Sequence, residues 1–155
     1  MRIEPLGNHP ELLPELAQLH FDEWRHLSPG VTLEDRVGKL EQMALSNGMP
    51  LIVIAREGDQ LTGSAALVEH DMRTRTDLSP WLASVFVKPE WRKRGLATRL
   101  VRRIEAEAAR QGIAKLYLFT EHARGLYLRL DWHDLEQCEY EGVGVTIMSR
   151  GLSGA

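Results

Sequence analysis

The sequence predicts an α/β domain built on a mixed sheet, with its elements in the order β-α-α-β-β-β-α-β-α-β-β. Apolar residues recur at helical spacing in three segments, and short β-branched runs lie between turn signals. One strand–helix–strand unit spans 82–119 and requires a parallel strand pair with a right-handed crossover. Because hairpins flank that unit on both sides, the sheet is predicted to be mostly antiparallel with one parallel pair.

The first half of the chain predicts an edge strand, "RIEPL", followed by two amphipathic helices. Leu12, Leu16, Leu19, Trp24 and Leu27 recur at helical spacing. Asn8 with Glu11 is the predicted N-terminal cap of that helix, and a start one turn later, at Pro14, is the alternative. Thr32 and Asp35 have the spacing of a second capping box, and a second amphipathic pattern follows them. "SPG" and "NGMP" are the predicted ends of the two helices.

The second half predicts a hairpin, a helix and a final hairpin. "PLIVIA" and "LTGSAALVE" form the first hairpin, and a long polar loop at 70–80 leads to the strand "WLASVFV". Apolar residues then step by four from Leu96 to Ala108, which predicts one face of a helix. "KLYLF" is a strand and "HARGLYLRL" a short helix. The chain closes with a hairpin around Gly142.

Composition narrows the class of protein. The 155 residues suffice for a single domain over 1–155, with 43% hydrophobic and 26% charged residues. A net charge of -3 argues against a general nucleic-acid binder. The single cysteine excludes an internal disulfide, and the N-terminus lacks the apolar core of a signal peptide. We expect a cytoplasmic protein with no nucleic-acid or membrane partner.

The stretch "WRKRGLATRL" has the character of an anion site. Gly95 and Ala97 are small residues between a strand end and a helix start, so a ligand can approach the backbone closely. The first N–H groups of a helix have no internal partner and point outward with a positive dipole, which suits phosphate. The spellings of a P-loop and of a dinucleotide fingerprint are absent. The cations expected to add an attractive field are Lys88, Arg92, Lys93 and Arg94.

Two motifs resemble a known family. "VFVKPEWRKRGLATRLV" resembles motif A of the GNAT superfamily of acyl-CoA-dependent N-acyltransferases, V-x-P-x-x-[RQ]-x-x-G-x-[GA]. "GLYLRLDW" resembles the family's helix signature, with Tyr127 as its tyrosine and Trp132 as its final aromatic residue. The resemblance implies a GNAT-like fold and transfer of an acetyl group from acetyl-CoA to a primary amine, by direct attack and without a metal. An acyl-CoA-binding sensor or interaction module without turnover is the alternative.

The resemblance also implies roles for individual residues. The strand before motif A is expected to splay from its parallel neighbour, and the pantetheine arm would lie in the gap. The N–H of Val87 would polarise the thioester carbonyl, and Tyr127 would protonate the departing thiolate. Relatives are often dimeric, so a homodimer is an open alternative. The implied cofactor residues are Val85, Phe86, Val87, Lys93, Arg94, Gly95, Leu96, Ala97 and Thr98.

The sequence departs from the family pattern in ways that affect the chemistry. Asp131 stands where the helix signature usually has glycine, at a position that commonly takes a left-handed turn. The loop "TEHARG" lacks the asparagine of many relatives. "WLASVFV" carries no acid, so the base that accepts the amine proton is undetermined. Ser84 is a candidate to hold a water for this step, and the other candidates, which spacing does not distinguish from solvated surface residues, are Glu121, Glu69, His70 and Asp71.

Candidate acceptor contacts come from the first helix and the long loop. By resemblance the first two helices flank the acceptor cleft, so Trp24 and His20 are candidate walls, with amphipathic packing as the alternative. Trp81, at the end of the loop, and Glu121 are further candidates. His20 and Glu23 have the spacing of a metal-binding pair, but no second pair exists, so no metal site is expected. The acceptor itself is left open between a small molecule and a protein amine.

Overall fold

The computed structural model describes residues 1–152 and contains the predicted order of elements. The strands are β1 (Arg2–Pro5), β2 (Leu51–Glu57), β3 (Gln60–Val68), β4 (Trp81–Val87), β5 (Lys115–Thr120), β6 (His133–Tyr140) and β7 (Val143–Gly151). The helices are α1 (Leu13–Trp24), α2 (Leu33–Leu45), α3 (Leu96–Arg110) and α4 (Arg124–Arg129). The order β-α-α-β-β-β-α-β-α-β-β is therefore confirmed.

All seven strands belong to one mixed sheet. Their spatial order is β1-β2-β3-β4-β5-β7-β6, and every neighbouring pair is antiparallel except β4 and β5. The parallel pair is joined at a single register position, Trp81 with Tyr117, after which the two strands part. The prediction of a mostly antiparallel sheet with one splayed parallel pair is confirmed, and the splay opens a gap beside the C-terminal half of β4.

The helix starts show which local signals operate. The predicted capping box of α2 is present, since the Thr32 hydroxyl accepts from the Asp35 N–H and the Asp35 carboxylate accepts from the Thr32 N–H. The predicted cap of α1 at Asn8 is wrong, because a 3-10 turn at Pro10–Leu12 intervenes and α1 begins only at Leu13. The Asn8 amide instead donates to Glu4 at 3.5 Å. The alternative of a start delayed by Pro14 is the one observed, because proline restricts φ to values that suit the first turn of a helix.

Each face of the sheet has its own core. Successive residues of β2 point to opposite faces, so Ile52 and Ile54 pack with α1 and α2. Val53 and Ala55 pack with α3 on the other face. Burying one such aliphatic side chain contributes about 1.5–3 kcal/mol. The two layers hold α2 and α4 on either side of the gap between β4 and β5.

Candidate active site

A cavity of about 750 Å³ lies where β4 and β5 part. Its wall combines the end of α1, the inner face of α2, the loop after β3, the middle of β4 and the start of α4. A cleft of this size accommodates an organic ligand. The predicted residues in its wall are Trp24, Asp71, His70, Ser84, Val85, Glu121 and Tyr127.

Strand β4 bulges at the wall of the cavity. Ser64 lies opposite Phe86 and Ala66 opposite Ala83, so β4 has one more residue than β3 between these two pairs. The extra residue disrupts the ladder locally and re-aims the strand. Ser84, within the bulge, has a φ of +55°, which is uncommon for a residue other than glycine.

The bulge is followed by backbone groups that face the gap. The N–H of Lys88 donates to the carbonyl of Thr62 in β3 at 2.9 Å. Since successive N–H groups of a strand point to opposite sides, the N–H of Val87 faces the side from which β5 has parted. By the same alternation the N–H of Phe86, a predicted cofactor contact, points toward β3 and not into the gap. Its ring packs against Trp24 of α1.

The start of α3 leaves its first N–H groups free for a ligand. Gly95 occupies the N-cap position in the left-handed region, with a φ of +76°, and makes no side-chain cap. The first turn contains no acidic residue, and within residues 1–152 neither the helix nor a carboxylate satisfies the N–H groups of Leu96, Ala97 and Thr98. A Cβ at Gly95 would meet no atom of residues 1–152 within 4 Å, so a side chain at this position would enter open space.

The four predicted cations differ in their contacts around this turn. The Lys88 ammonium pairs with Glu15 at 2.6 Å, and the Arg92 guanidinium donates to the carbonyl that ends β4 at 2.9 Å. The Arg94 guanidinium lies 4.9 Å from the centre of the Trp91 ring, a cation–π contact. Arg92 therefore holds the glycine turn against β4, whereas Lys88 is paired with α1. The side chains of Arg92, Lys93 and Arg94 are exposed around the turn.

Tyr127 lies across the gap from β4, on α4. It is 6% exposed and its ring packs 6.1 Å from that of Trp132. The Trp132 indole N–H donates to the buried Glu105 of α3 at 2.9 Å, which fixes this corner of the fold. Asp131 takes the predicted left-handed turn, with a φ of +70°. Burial raises the pKa of the Tyr127 hydroxyl, so it remains protonated at neutral pH.

Asp71 is a half-buried carboxylate in the wall of the cleft. Within the described residues its side chain makes no hydrogen bond and no ion pair closer than 4.0 Å. Burial raises the pKa of its carboxyl from the ordinary value to about 7, against the opposing effect of the Lys39 and Arg36 charges. Both cations lie on α2 in the same wall. Asp71 is therefore poised to exchange a proton near neutral pH.

The other candidate bases are differently placed. Glu121 lies in the wall, but its carboxylate contacts His26 at 2.5 Å and His122 at 3.0 Å. His70 is in the wall and 47% exposed. Glu69 is 76% exposed and lies outside the cavity. Of the four, Asp71 is the one that combines burial with a carboxylate free of partners.

Two predicted acceptor contacts do not reach the cleft. Trp81 is fully buried at the start of β4, where its indole N–H donates to the carbonyl of Leu78 at 2.8 Å and its ring packs against Phe119. His20 is 1% exposed and lies behind the wall, bonded to Ser64. Both predictions of acceptor contact are corrected, because these side chains face the core on the α1 and α2 side of the sheet.

Residues 1–152 lack two other kinds of feature. No group of three histidine, cysteine or acidic side chains is arranged to hold a metal ion. No helix in the same residues is long and apolar enough to cross a membrane.

Comparison with known proteins identifies similar folds and a matching family. Residues 13–132 match the acetyltransferase (GNAT) family. An aminoglycoside 6'-N-acetyltransferase complexed with coenzyme A superimposes with a TM-score of 0.77 at 19% identity, covering 98% of this chain and 97% of that one. No curated protein matches the sequence.

Two further solved structures share the fold at similarly low identity. One is yncA, a putative acetyltransferase from Salmonella typhimurium with its cofactor acetyl-CoA, with a TM-score of 0.73, 17% identity and coverage of 99% and 94%. The other is a ribosomal-protein-alanine N-acetyltransferase from Brucella melitensis, with a TM-score of 0.73, 17% identity and coverage of 98% and 100%. At these identities the likeness establishes the fold.

Proposed function

Because the chain belongs to the acetyltransferase (GNAT) family, we propose that it transfers an acetyl group from acetyl-CoA to a primary amine by direct attack. The match over residues 13–132 confirms the family and the N-acetyltransferase class that the two sequence motifs predict. The observation that carries the proposal is the open N-terminus of α3 at Gly95, next to the gap between β4 and β5. The start of α3 suits the phosphates of the donor, and the gap suits its extended pantetheine arm.

The donor half of the reaction rests on backbone groups. The pyrophosphate of acetyl-CoA would accept hydrogen bonds from the N–H groups of Leu96, Ala97 and Thr98, each worth about 1.5–3 kcal/mol when the acceptor is charged. The pantetheine arm would lie along β4 in the gap, with the thioester carbonyl accepting from the N–H of Val87. Two of the similar structures hold coenzyme A or acetyl-CoA, which supports this assignment.

The transfer step needs a neutral amine and a protonated leaving group. The amine nitrogen attacks the thioester carbonyl, the carbon–nitrogen bond forms, and collapse of the oxyanion breaks the carbon–sulfur bond. The N–H of Val87 would stabilise that oxyanion. Tyr127, kept protonated by its burial, would give its proton to the CoA thiolate. On collapse to the amide the nitrogen would lose its second proton, which would restore the Tyr127 hydroxyl by way of solvent. No covalent enzyme intermediate is required.

We propose that Asp71 is the general base that accepts the proton of the amine. An alkyl ammonium has a pKa near ~10, so a base must remove its proton before attack. Asp71 faces the cleft without a partner, whereas the carboxylate of Glu121 is engaged by two histidines. A base with a pKa near the working pH is also the most effective one. An ordered water beside Ser84 is the proposed relay between the amine and this carboxylate.

The acceptor stays open between a small molecule and a protein amine. The similar structures include an aminoglycoside enzyme and a ribosomal-protein-alanine enzyme, so likeness of fold does not choose between the two. Trp24 and Glu121 lie in the wall of the cleft and are the proposed acceptor contacts. Their combination of an aromatic face and a carboxylate suits a cationic amine.

Acetyl-CoA binding and thiol release test the proposal in two steps. At about 100 times Kd, a ligand stabilises the folded state by about 2.7 kcal/mol, which raises Tm by about 5–10 °C for a chain of this length. Release of free thiol from acetyl-CoA across a panel of small amines and peptide N-termini then measures turnover. The absence of any thermal shift contradicts donor binding. A shift without thiol release supports the acyl-CoA sensor instead.

Tyr127→Phe is expected to lower kcat about tenfold while the Kd for acetyl-CoA changes less than about twofold. The substitution removes the proton donor to the thiolate but keeps the buried ring, and solvent partly replaces a lost general acid. Calorimetric Kd values and steady-state thiol release measure the two effects separately. Tyr140→Phe is the matched control, since Tyr140 is a second buried tyrosine in the same wall. An unchanged kcat, with product release shown to be fast, removes Tyr127 from the acid role.

A further inference from the structure

A closed ring of hydrogen bonds, which includes Ser84 of the β4 bulge, lies at the back of the cleft wall. The guanidinium of Arg36 contacts the Nδ1 of His20 at 2.8 Å, and the Nε2 of His20 contacts the Ser64 hydroxyl at 2.8 Å. The Ser64 hydroxyl donates to the Ser84 carbonyl at 2.8 Å. Arg36 closes the ring by donating from the same Nη2 to the Ser84 hydroxyl at 3.3 Å.

The direction of every bond in this ring follows from its members. A guanidinium only donates, so the Nδ1 of His20 must accept and the ring proton must lie on Nε2. Nε2–H then donates to the Ser64 oxygen, which leaves the Ser64 proton for the Ser84 carbonyl. Burial, with the nearby Arg36 and Lys39 charges, holds the pKa of His20 well below its ordinary value, so the imidazole stays neutral. A protonated imidazole would have no lone pair for Arg36.

The ring clamps a residue whose backbone is strained. Ser84 has a φ of +55°, and a non-glycine residue keeps such a conformation only where its surroundings enforce it. Ser64 holds its carbonyl and Arg36 holds its hydroxyl, so both sides of the bulge are fixed from behind. His20 and Ser64 are 1% and 0% exposed, which keeps water from competing for these bonds.

The hydrogen-bond ring includes one buried donor without a partner in residues 1–152, which a contribution to stability alone does not explain. The Nε–H of Arg36 is buried and has no hydrogen-bond partner within the described residues. An unsatisfied buried donor is unfavourable, and replacing buried charged groups by well-packed apolar residues is often neutral or stabilising. A positioning role explains why arginine is present, because the guanidinium of Arg36 contacts both His20 and Ser84.

We infer that Arg36, His20 and Ser64 are positioning residues that hold the β4 bulge so that the N–H groups after it meet the acyl carbonyl of the donor. The inference rests on the proposed function, since it requires the thioester to lie along β4. The bulge consists of Ser84 and Val85, and the N–H of Val87, two residues after it, faces the gap. A shift at Ser84 would therefore move the groups that contact the acetyl carbonyl and leave the phosphate site at the start of α3 unchanged.

The affinity for acetyl-CoA relative to that for CoA isolates this effect. Both ligands use the phosphate site and the gap, but only acetyl-CoA has the carbonyl that the bulge would orient. His20→Leu removes both bonds of the imidazole and is expected to weaken acetyl-CoA binding about three- to tenfold, the range of one net hydrogen bond. CoA binding should change less than about twofold. His20→Gln keeps one donor and one acceptor and should restore the wild-type ratio.

A second pair of variants keeps the test decisive if His20→Leu does not fold. Ser64→Ala removes the hydroxyl that donates to the Ser84 carbonyl and should lower the acetyl-CoA to CoA affinity ratio to a similar extent. Thr62→Val is the matched control, because Thr62 is an equally buried hydroxyl on the same strand with no bond to the bulge. Calorimetry with each ligand gives the ratios, and thermal unfolding confirms that each protein is folded.

The outcomes separate this inference from the proposed function. If wild-type protein binds neither acetyl-CoA nor CoA, the proposed function fails and the inference fails with it. If wild type binds both, and folded Ser64→Ala and His20→Leu keep the wild-type ratio, the inference alone is overturned. An equal loss of affinity for both ligands also overturns it, since that result describes a structural role. A lowered ratio that His20→Gln restores supports it.

Discussion

Gly95→Glu is expected to lower the affinity for acetyl-CoA at least a hundredfold while the protein still folds. The new carboxylate would lie at the start of α3, where it would accept hydrogen bonds from the N–H groups proposed for the pyrophosphate and would repel the phosphates. Losing two charge-assisted hydrogen bonds of about 1.5–3 kcal/mol each accounts for this magnitude. A side chain at a φ of +76° costs about 1–2 kcal/mol, but its Cβ would meet no atom within 4 Å. Calorimetric titration with acetyl-CoA measures the loss.

Two variants separate the charge at this turn from the backbone strain. Gly112→Glu places the same side chain at a comparable φ of +81°, also in open space, beyond the other end of α3. It should destabilise the fold to a similar extent and leave acetyl-CoA affinity unchanged. Gly95→Ala adds the strain without the charge and should weaken binding only modestly. A folded Gly95→Glu protein with wild-type affinity would exclude the start of α3 as the phosphate site.

The features that were predictable from the sequence depend on neighbours along the chain. The element order, the capping box at Thr32 and the left-handed turn at Asp131 all rest on residues within a few positions of one another. The turn at Gly95 is of the same kind, because a glycine N-cap and an unpaired first helical turn are local properties. The failed cap at Asn8 also has a local cause, since two prolines nearby moved the start of the helix.

The residues that sequence reasoning misplaced depend on packing between distant segments. Trp81 begins β4 and faces the core, although its polar loop had suggested exposure. His20 bonds to Ser64, which is 44 positions away, and no spacing rule connects the two. Arg36 was not singled out at all, because a single arginine on an amphipathic helix resembles a solvated charge. Its partners become visible only when α2 lies against β4.

The choice of the proposed general base also depends on tertiary packing. Glu69, His70 and Asp71 are consecutive, so sequence offered no ground for choosing among them. The chain turns after β3 so that Glu69 faces solvent while Asp71 lies in the cleft, and Met72, 1% exposed, anchors the turn in the core. A difference of one or two positions thus decides which carboxylate loses its solvation. Desolvation, the main cause of the raised pKa of Asp71, is a tertiary property.

Asp71→Asn is expected to lower kcat/KM about a hundredfold at pH 8 for whichever amine wild type accepts best, the usual scale of a lost general base. With a pKa of about 7, the carboxyl of Asp71 is ionised and able to accept a proton above pH 7. Wild-type kcat/KM should therefore rise with pH up to about 7 and fall about tenfold for each unit below it. The asparagine variant should lack that limb. Initial rates of thiol release from pH 5.5 to 9 give both profiles.

Stability distinguishes lost chemistry from lost folding in this variant. The pKa of Asp71 is higher in the folded state than its ordinary value of 3.8, so the folded state binds the extra proton between these values. Stability therefore falls as pH rises through that window, because an ionised carboxylate is poorly solvated there. Asp71→Asn has no charge to desolvate and should be at least as stable as wild type at pH 8. Glu69→Gln, at an exposed position outside the cleft, is the control for rate and stability. A stable Asp71→Asn enzyme that keeps the wild-type rate and pH limb would move the base elsewhere in the cleft.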